Sequence, residues 1–391
     1  MARLLFVLDI GFDRGGPSVH LLQDVIRAGL KNGHEIEVIL KNTGGPEPEM
    51  PNEFIGCKGF SYTAIKEDDE KKHGFAGRYI NEIKYANKCA KVFTKRGKYD
   101  AVFLQSNTTT YFYMRLLRKL NCRIVYNVQD IFPYNLKLSG QLPLEKITFP
   151  VFRKLQHMGY EMADEIITIS EDMKRTLTED GVAESKIKVI YNWSYADTPI
   201  RLDDIAPENR FDLGSSPEVF NVVYAGNIGR MQNVEYIVKT ALKMHDDPSV
   251  HFWIIGDGAN KQNVEKMAKD AENVTILPMQ PSKYAESIYA QADLNVIPLM
   301  PGGIKTALPS KTATVLRVDR PVVFCIDKES HLSELLENDK KALFVDVNDI
   351  DSLSRVIRSQ QALAEKTEMK GEISSLFSKD NAKTYIDSLI V

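Results

Sequence analysis

The sequence predicts a two-domain α/β protein, each domain built on a doubly wound parallel sheet. Three observations predict it. Short runs rich in Val, Ile, Leu and Phe alternate with helix-length stretches along nearly all 391 residues, and continuous apolar character of that kind suits strands covered on both faces. The alternation breaks once, over 197–218, where Asp, Pro, Glu, Gly and Ser displace large apolar residues. The chain is also longer than a single hydrophobic core usually sustains.

In the first half, strands are expected at 4–10, 35–40, 101–105, 123–128, 165–169 and 186–191, with helices over 18–31, 78–95 and 144–162 between them. After the polar interruption, strands are expected at 219–224, 250–255, 274–277, 294–298, 322–326 and 342–345. The domains therefore read as 1–196 and 219–369, joined by a linker at 197–218. A helical segment, 370–391, is expected to pack back on the first domain. Doubly wound sheets bind ligands beyond the carboxyl ends of their strands, so two such domains are expected to face each other across a cleft.

With 43% hydrophobic and 26% charged residues, the composition is that of a soluble globular protein. A net charge of −3 speaks against a nucleic-acid partner. The charge is uneven, however: residues 71–126 carry thirteen Lys or Arg against only Glu82 and Asp100. This segment includes the aromatic-basic run from Tyr111 to Lys119. Such a region is expected either to be a solvated helix face or to attract anionic lipid or a phosphorylated acceptor. Cys57, Cys89, Cys122 and Cys325 form no CxxC pair and read as buried free thiols. No apolar run approaches the ~20 residues of a membrane span, and Asp9 interrupts the first one, so no signal peptide is read. The expected location is the cytoplasm, with contact at most on the inner face of the membrane.

Five loops at strand ends carry the chemistry. Gly302 to Lys311 is a glycine-rich turn expected to open a short helix at Ser310 and Lys311, where a helix N-terminus and a lysine together form a cradle for a diphosphate. Arg317-Val318-Asp319-Arg320 then interrupts that helix with charge. Gly15 and Gly16 after the first strand leave room for a ligand beside the backbone. Gln129 and Asp130 close the 123–128 strand; Asp130 could accept a proton, hold a sugar hydroxyl, or cap a turn. In Gly226-Asn227-Ile228-Gly229-Arg230-Met231-Gln232, the Arg230 guanidinium suits bidentate phosphate contact. In Gly256-Asp257-Gly258, Asp257 reads as a possible cap for a helix starting near Asn260. No spacing suggests a catalytic metal, and GxGxxG, P-loop and GxSxG patterns are absent.

Taken together, these loops resemble the retaining glycosyltransferases of family four, which have the GT-B fold of two facing Rossmann-like domains. Within the family the chain is similar to enzymes of bacterial capsule, O-antigen and exopolysaccharide synthesis. The resemblance rests on Gly15-Gly16, Gln129-Asp130 with Pro133, Gly226-Asn227-Ile228-Gly229-Arg230, Gly256-Asp257-Gly258, and Pro309-Ser310-Lys311 with Arg320-Pro321-Val322. It implies transfer of a hexose or N-acetylhexosamine from a nucleoside-diphosphate sugar, with UDP the expected nucleotide, to a polyprenyl-diphosphate-linked saccharide. No metal or cofactor is implied, the nucleotide sugar being a co-substrate. Arg230 and Lys311 would bind the donor diphosphate, with Asp130 the third catalytic residue beside Gln129. Gly15, Gly16, Gly226, Asn227, Gln232, Gly256, Asp257, Gly258, Ser310 and Thr314 would border the donor.

The family's Glu-x7-Glu pair falls on Thr306 and Thr314, the histidine often found before Asp130 is Gln129, and a common phosphate-binding lysine falls on Gln232. Threonine offers the ribose only neutral hydrogen bonds, about 1 kcal/mol each. These departures leave two alternatives: a non-catalytic partner subunit with a decayed donor site, and a nucleotide-sugar epimerase of the same fold.

Overall fold

The structure, a computed structural model, describes residues 1–12, 19–42, 50–66, 74–195, 197–216, 218–364 and 375–390. The chain divides into two compact units. Unit 1 is Met1–Asn192, Thr306–Leu308 and Lys379–Val391, and unit 2 is Trp193–Lys305 and Pro309–Ser378.

Unit 1 holds strands β1 (Arg3–Val7), β2 (Glu35–Asn42), β3 (Phe60–Lys66), β4 (Ala101–Gln105), β5 (Arg123–Val128), β6 (Glu165–Thr168) and β7 (Ile187–Val189). They form one sheet in the order β3-β2-β1-β4-β5-β6-β7, every neighbouring pair parallel. β1, β4 and β5 are almost entirely enclosed, which is why their sequences read as continuous apolar runs. β3 was not expected from the sequence. It is an edge strand with most of its side chains partly or fully exposed, so Phe60–Lys66 mixes Ser, Tyr, Thr and Lys among its apolar residues.

The helix Val19–Lys31 buries Val19, Leu22, Val25 and Ile26. It approaches closely at Gly29, where a Cβ would lie 2.6 Å from Ile36 Cδ1 and 3.0 Å from Ile386 Cδ1. Ile386 belongs to the helix Asn381–Ile390, which buries Tyr385, Ile386 and Leu389 against unit 1. The Tyr385 hydroxyl donates to Asn127 Oδ1 at 3.1 Å, fixing this helix to the end of β5.

Unit 2 holds β8 (Phe220–Asn227), β9 (Val250–Asp257), β10 (Val274–Leu277), β11 (Leu294–Pro298), β12 (Val322–Ile326) and β13 (Ala342–Asp346). The order is β10-β9-β8-β11-β12-β13, again all parallel. Val234, Ile237, Val238 and Ala241 on the helix Val234–Lys243 pack into a core with Phe252, Ile254 and Val323. The chain direction of the strand order switches between β8 and β11, the place where such sheets gather their ligands.

The segment read as a linker is packed on unit 2. Phe211 N–H donates to Ser287 Oγ at 2.9 Å, Gln291 Nε2 donates to Phe211 O at 2.6 Å, and Ile205 and Leu213 are buried. The charged stretch after the glycine-rich loop is also neutralised in place. Arg317 is buried, pairs with Glu286 and donates to Thr198 O at 2.8 Å.

Candidate active site

At the carboxyl edge of unit 2, β8 and β9 run closer together than side chains permit. A Cβ on Gly256 would lie 1.9 Å from Gly226 O. Gly258, at φ +155°, would place a Cβ 2.5 Å from Asn227 Oδ1 and 2.6 Å from the Ile228 carbonyl. The turns after these strands are tied together by Ile228 N–H donating to Asp257 O at 2.7 Å and Asn260 N–H donating to Ile228 O at 2.9 Å. Asn227 Nδ2 donates to Gln232 Oε1 at 3.2 Å, which sets Gln232 over Gly229. Asp257 is exposed and accepts from Gly258 N–H at 2.8 Å. The expected cap is thus corrected: the helix Lys261–Met267 starts after Asn260 with no side-chain cap.

Lys311 reaches into this edge. Its Nζ donates to Ala225 O at 2.8 Å and lies 3.7 Å from the centroid of the Tyr224 ring. Gly226, at φ +145°, is what admits it, since a Cβ there would be 2.7 Å from Nζ. Among the described residues no carboxylate lies within ion-pairing distance of this ammonium, and burial pushes its pKa down to about 7. The amine is therefore held by a π face and a carbonyl dipole, both weak substitutes for water. An anion arriving beside it would restore the charged form.

Sequence reasoning missed the two tyrosines that build this pocket. Tyr224 donates its hydroxyl to Asn227 O beneath the lysine, and Tyr289 donates to Ala225 O at 3.0 Å, sharing that acceptor with Lys311. Tyr224 adjoined a motif, but nothing in the sequence marks Tyr289 as near it. Asp327 was missed too. Both its carboxylate oxygens accept from Gly302 N–H, at 2.9 and 3.0 Å, and hold the glycine-rich loop at φ +76°.

The helix expected to open at Ser310 and Lys311 begins one residue later and is short, Thr312–Arg317. Ser310 is exposed, Thr314 is half-buried in that helix, and Arg230 is exposed in the turn after β8. Unit 2 thus brings together Gly226, Asn227, Gln232, Gly256, Asp257, Gly258 and Lys311 at one sheet edge.

On unit 1, Gln129 is committed to a local network. Its Nε2 donates to Asn127 Oδ1 at 3.0 Å, and its Oε1 accepts from Asn192 Nδ2 at 2.8 Å. Asp130 keeps solvent access, and the protein around it raises its carboxyl pKa by desolvation. It bridges Ala307, and the adjacent Ile131 N–H donates to the buried Thr306 at 2.9 Å. It caps no helix: the next one, Tyr134–Leu138, follows Pro133. Gly15 and Gly16 lie outside the described residues. Among those residues, no group of three His, Cys, Asp or Glu side chains could hold a metal ion.

Residues 14–193 match the family model Glycosyltransferase Family 4, and residues 219–360 match the model Glycosyl transferases group 1. The chain belongs to glycosyltransferase family 4. Its two parallel-sheet units are those of the GT-B fold. Among relatives of this family 4 chain, WcaI of Escherichia coli, named for colanic acid biosynthesis, is 28% identical over 57% of the chain and 56% of WcaI. WbjE of Pseudomonas aeruginosa, named a glycosyltransferase, is 25% identical over 82% of the chain and 80% of WbjE. The chain thus spans little more than half of the length of WcaI. Among solved structures, HepE of Anabaena in complex with UDP and glucose superposes with a TM-score of 0.69 over 99% of both chains at 14% identity, a likeness of fold.

Proposed function

We propose that this family 4 glycosyltransferase moves a hexose or N-acetylhexosamine from UDP-sugar to a polyprenyl-diphosphate-linked saccharide, with retention at the anomeric carbon, in the synthesis of a bacterial surface polysaccharide. The observation that carries the reading is the Lys311 ammonium, unpaired with any described carboxylate, at an edge cleared of side chains by Gly226 and Gly256. A diphosphate would bring the negative charge that this amine is placed to meet. The names of WcaI and WbjE support polysaccharide synthesis, and the HepE complexes with UDP, glucose and UDP-glucose support a nucleotide-sugar donor.

In this reading Lys311 and Arg230 stabilise the charge that collects on the leaving diphosphate as the glycosidic bond breaks, which is electrostatic catalysis by preplaced cations. Asn227, Gln232, Asp257, Gly258, Ser310 and Thr314 border the donor, and no metal is needed to neutralise the leaving group. Asp130, whose carboxyl pKa is raised by desolvation, is assigned to the acceptor hydroxyl or the sugar. Gln129 acts on the same edge by positioning, since its amide is already engaged. The protein works at the cytoplasmic face of the membrane.

Calorimetric titration with UDP and with GDP tests this. Saturable UDP binding in the micromolar to low millimolar range, weaker for GDP, is expected. Absence of binding by either nucleotide at millimolar concentration would instead support the non-catalytic partner reading.

A further inference from the structure

In the aromatic-basic run Tyr113, Met114 and Leu117 are buried and Arg118 pairs with Asp164 at 2.9 Å, while Arg115 and Lys119 are exposed. A different face of unit 1 is exposed. In the helix Glu145–Met162, the residues Ile147 and Val151 are 67% and 52% exposed, and Leu144 just before it is 76% exposed. At 100° per residue these three fall within about 60° of arc, with exposed Pro150 and Lys154 beside them. The opposite side of the helix already packs inward. Phe152 contacts Tyr79 at 4.9 Å and Phe132 at 5.5 Å, and Gln156, Gly159 and Tyr160 are buried. The helix is thus apolar on two sides while the fold covers one. Leu144 is held at φ +48°, ψ +46°, a conformation that costs a Leu energy, and its side chain still points into solvent.

The surroundings are basic. The three helices of this layer, Phe75–Phe93, Thr110–Leu117 and Glu145–Met162, carry eight Lys or Arg against three Glu. Arg78, Lys84, Lys88, Lys91, Arg115, Lys146 and Lys154 are exposed. A second copy docked face to face would set like charges against each other, whereas an anionic lipid surface complements both the apolar stripe and its rim.

We propose that Leu144, Ile147 and Val151 insert into the interface of an anionic membrane, with Lys154 on the headgroups. This deepens the lipid-linked acceptor of the proposed function and gives that reading its membrane contact. The test is flotation of the full chain with vesicles of phosphatidylglycerol and phosphatidylethanolamine, alongside vesicles of phosphatidylcholine. The wild type is expected to float with the anionic vesicles, less at high salt. The triple variant Leu144→Ser, Ile147→Ser, Val151→Ser is expected to lose this by more than about tenfold, since each buried aliphatic side chain contributes at least a factor of ten. Lys154→Gln is expected to weaken the salt dependence. Thermal melting and UDP titration of both variants should match wild type, so that a failure of the donor reading shows in UDP binding and a failure of the docking face shows in flotation. Equal flotation of the triple variant, no flotation of the wild type, or a wild-type dimer in sedimentation that the triple variant dissolves would each overturn the proposal.

Discussion

Replacing Lys311 by Met is expected to make the protein more stable and a poorer binder of nucleotide at once. The side chains have similar length, so the perturbation is chiefly the loss of a buried amine. In the folded protein that amine titrates near 7 instead of 10.5. Between those pH values the unfolded chain binds the proton and the folded chain does not, so stability of the wild type rises with pH across this window. The shift amounts to about 4 kcal/mol of cost at pH 7, at roughly 1.4 kcal/mol per unit. The contact with the Tyr224 ring returns up to about 2 kcal/mol to the charged form, and Ala225 O keeps the Tyr289 hydroxyl as a donor in the variant. The net expectation is that Lys311→Met gains about 2 kcal/mol at pH 7. Its advantage should shrink as pH rises toward 10.5, and only above that value is the wild-type amine neutral in both states. Against this, losing a charge-assisted contact to a diphosphate costs about 1.5–3 kcal/mol, a fall of ~10- to 100-fold in UDP affinity. Urea denaturation at neutral and alkaline pH, paired with UDP calorimetry, reads both effects. A variant less stable than wild type at pH 7, or one that binds UDP as well, would refute the argument that this cation is held in place for a ligand.

Two further outcomes test the frame around the lysine. Gly256→Ala must move a strand end by more than an ångström to clear Gly226 O. It should cost about 1–3 kcal/mol in the unfolding of unit 2 and weaken UDP binding; an unchanged melting curve would show that the strand ends part freely. Glu286→Gln leaves the buried Arg317 without its counter-charge, and about 3 kcal/mol of destabilisation is expected in denaturant titration, whereas a change below about 1 kcal/mol would mean that Thr198 O and solvent suffice.

The parallel sheets were legible because burial on both faces writes continuous apolar runs, and every strand of unit 2 was found within a few residues of its expected place. β3 was not legible, because an edge strand half in water has no such signature. The glycines at 226, 256 and 258 were visible as a pattern, but their reason, a strand spacing that leaves 1.9 Å for a Cβ, is a distance between residues thirty apart in sequence. Likewise the run from Tyr111 to Lys119 did not show that Tyr113, Met114 and Leu117 would be buried while Arg115 and Lys119 stay exposed, since composition does not say which side of a helix faces the core.

By itself, then, the sequence determined the fold class, the family and the identity of the loops that end the strands, because those depend on local pattern and on spacing along the chain. Only the tertiary structure decided that Lys311 rests on Tyr224 with no described carboxylate to pair with, that Asp327 clamps Gly302, and that Leu144, Ile147 and Val151 stay uncovered. Each of these is a relation between side chains and what surrounds them in space, and charge, desolvation and exposure are set by those surroundings.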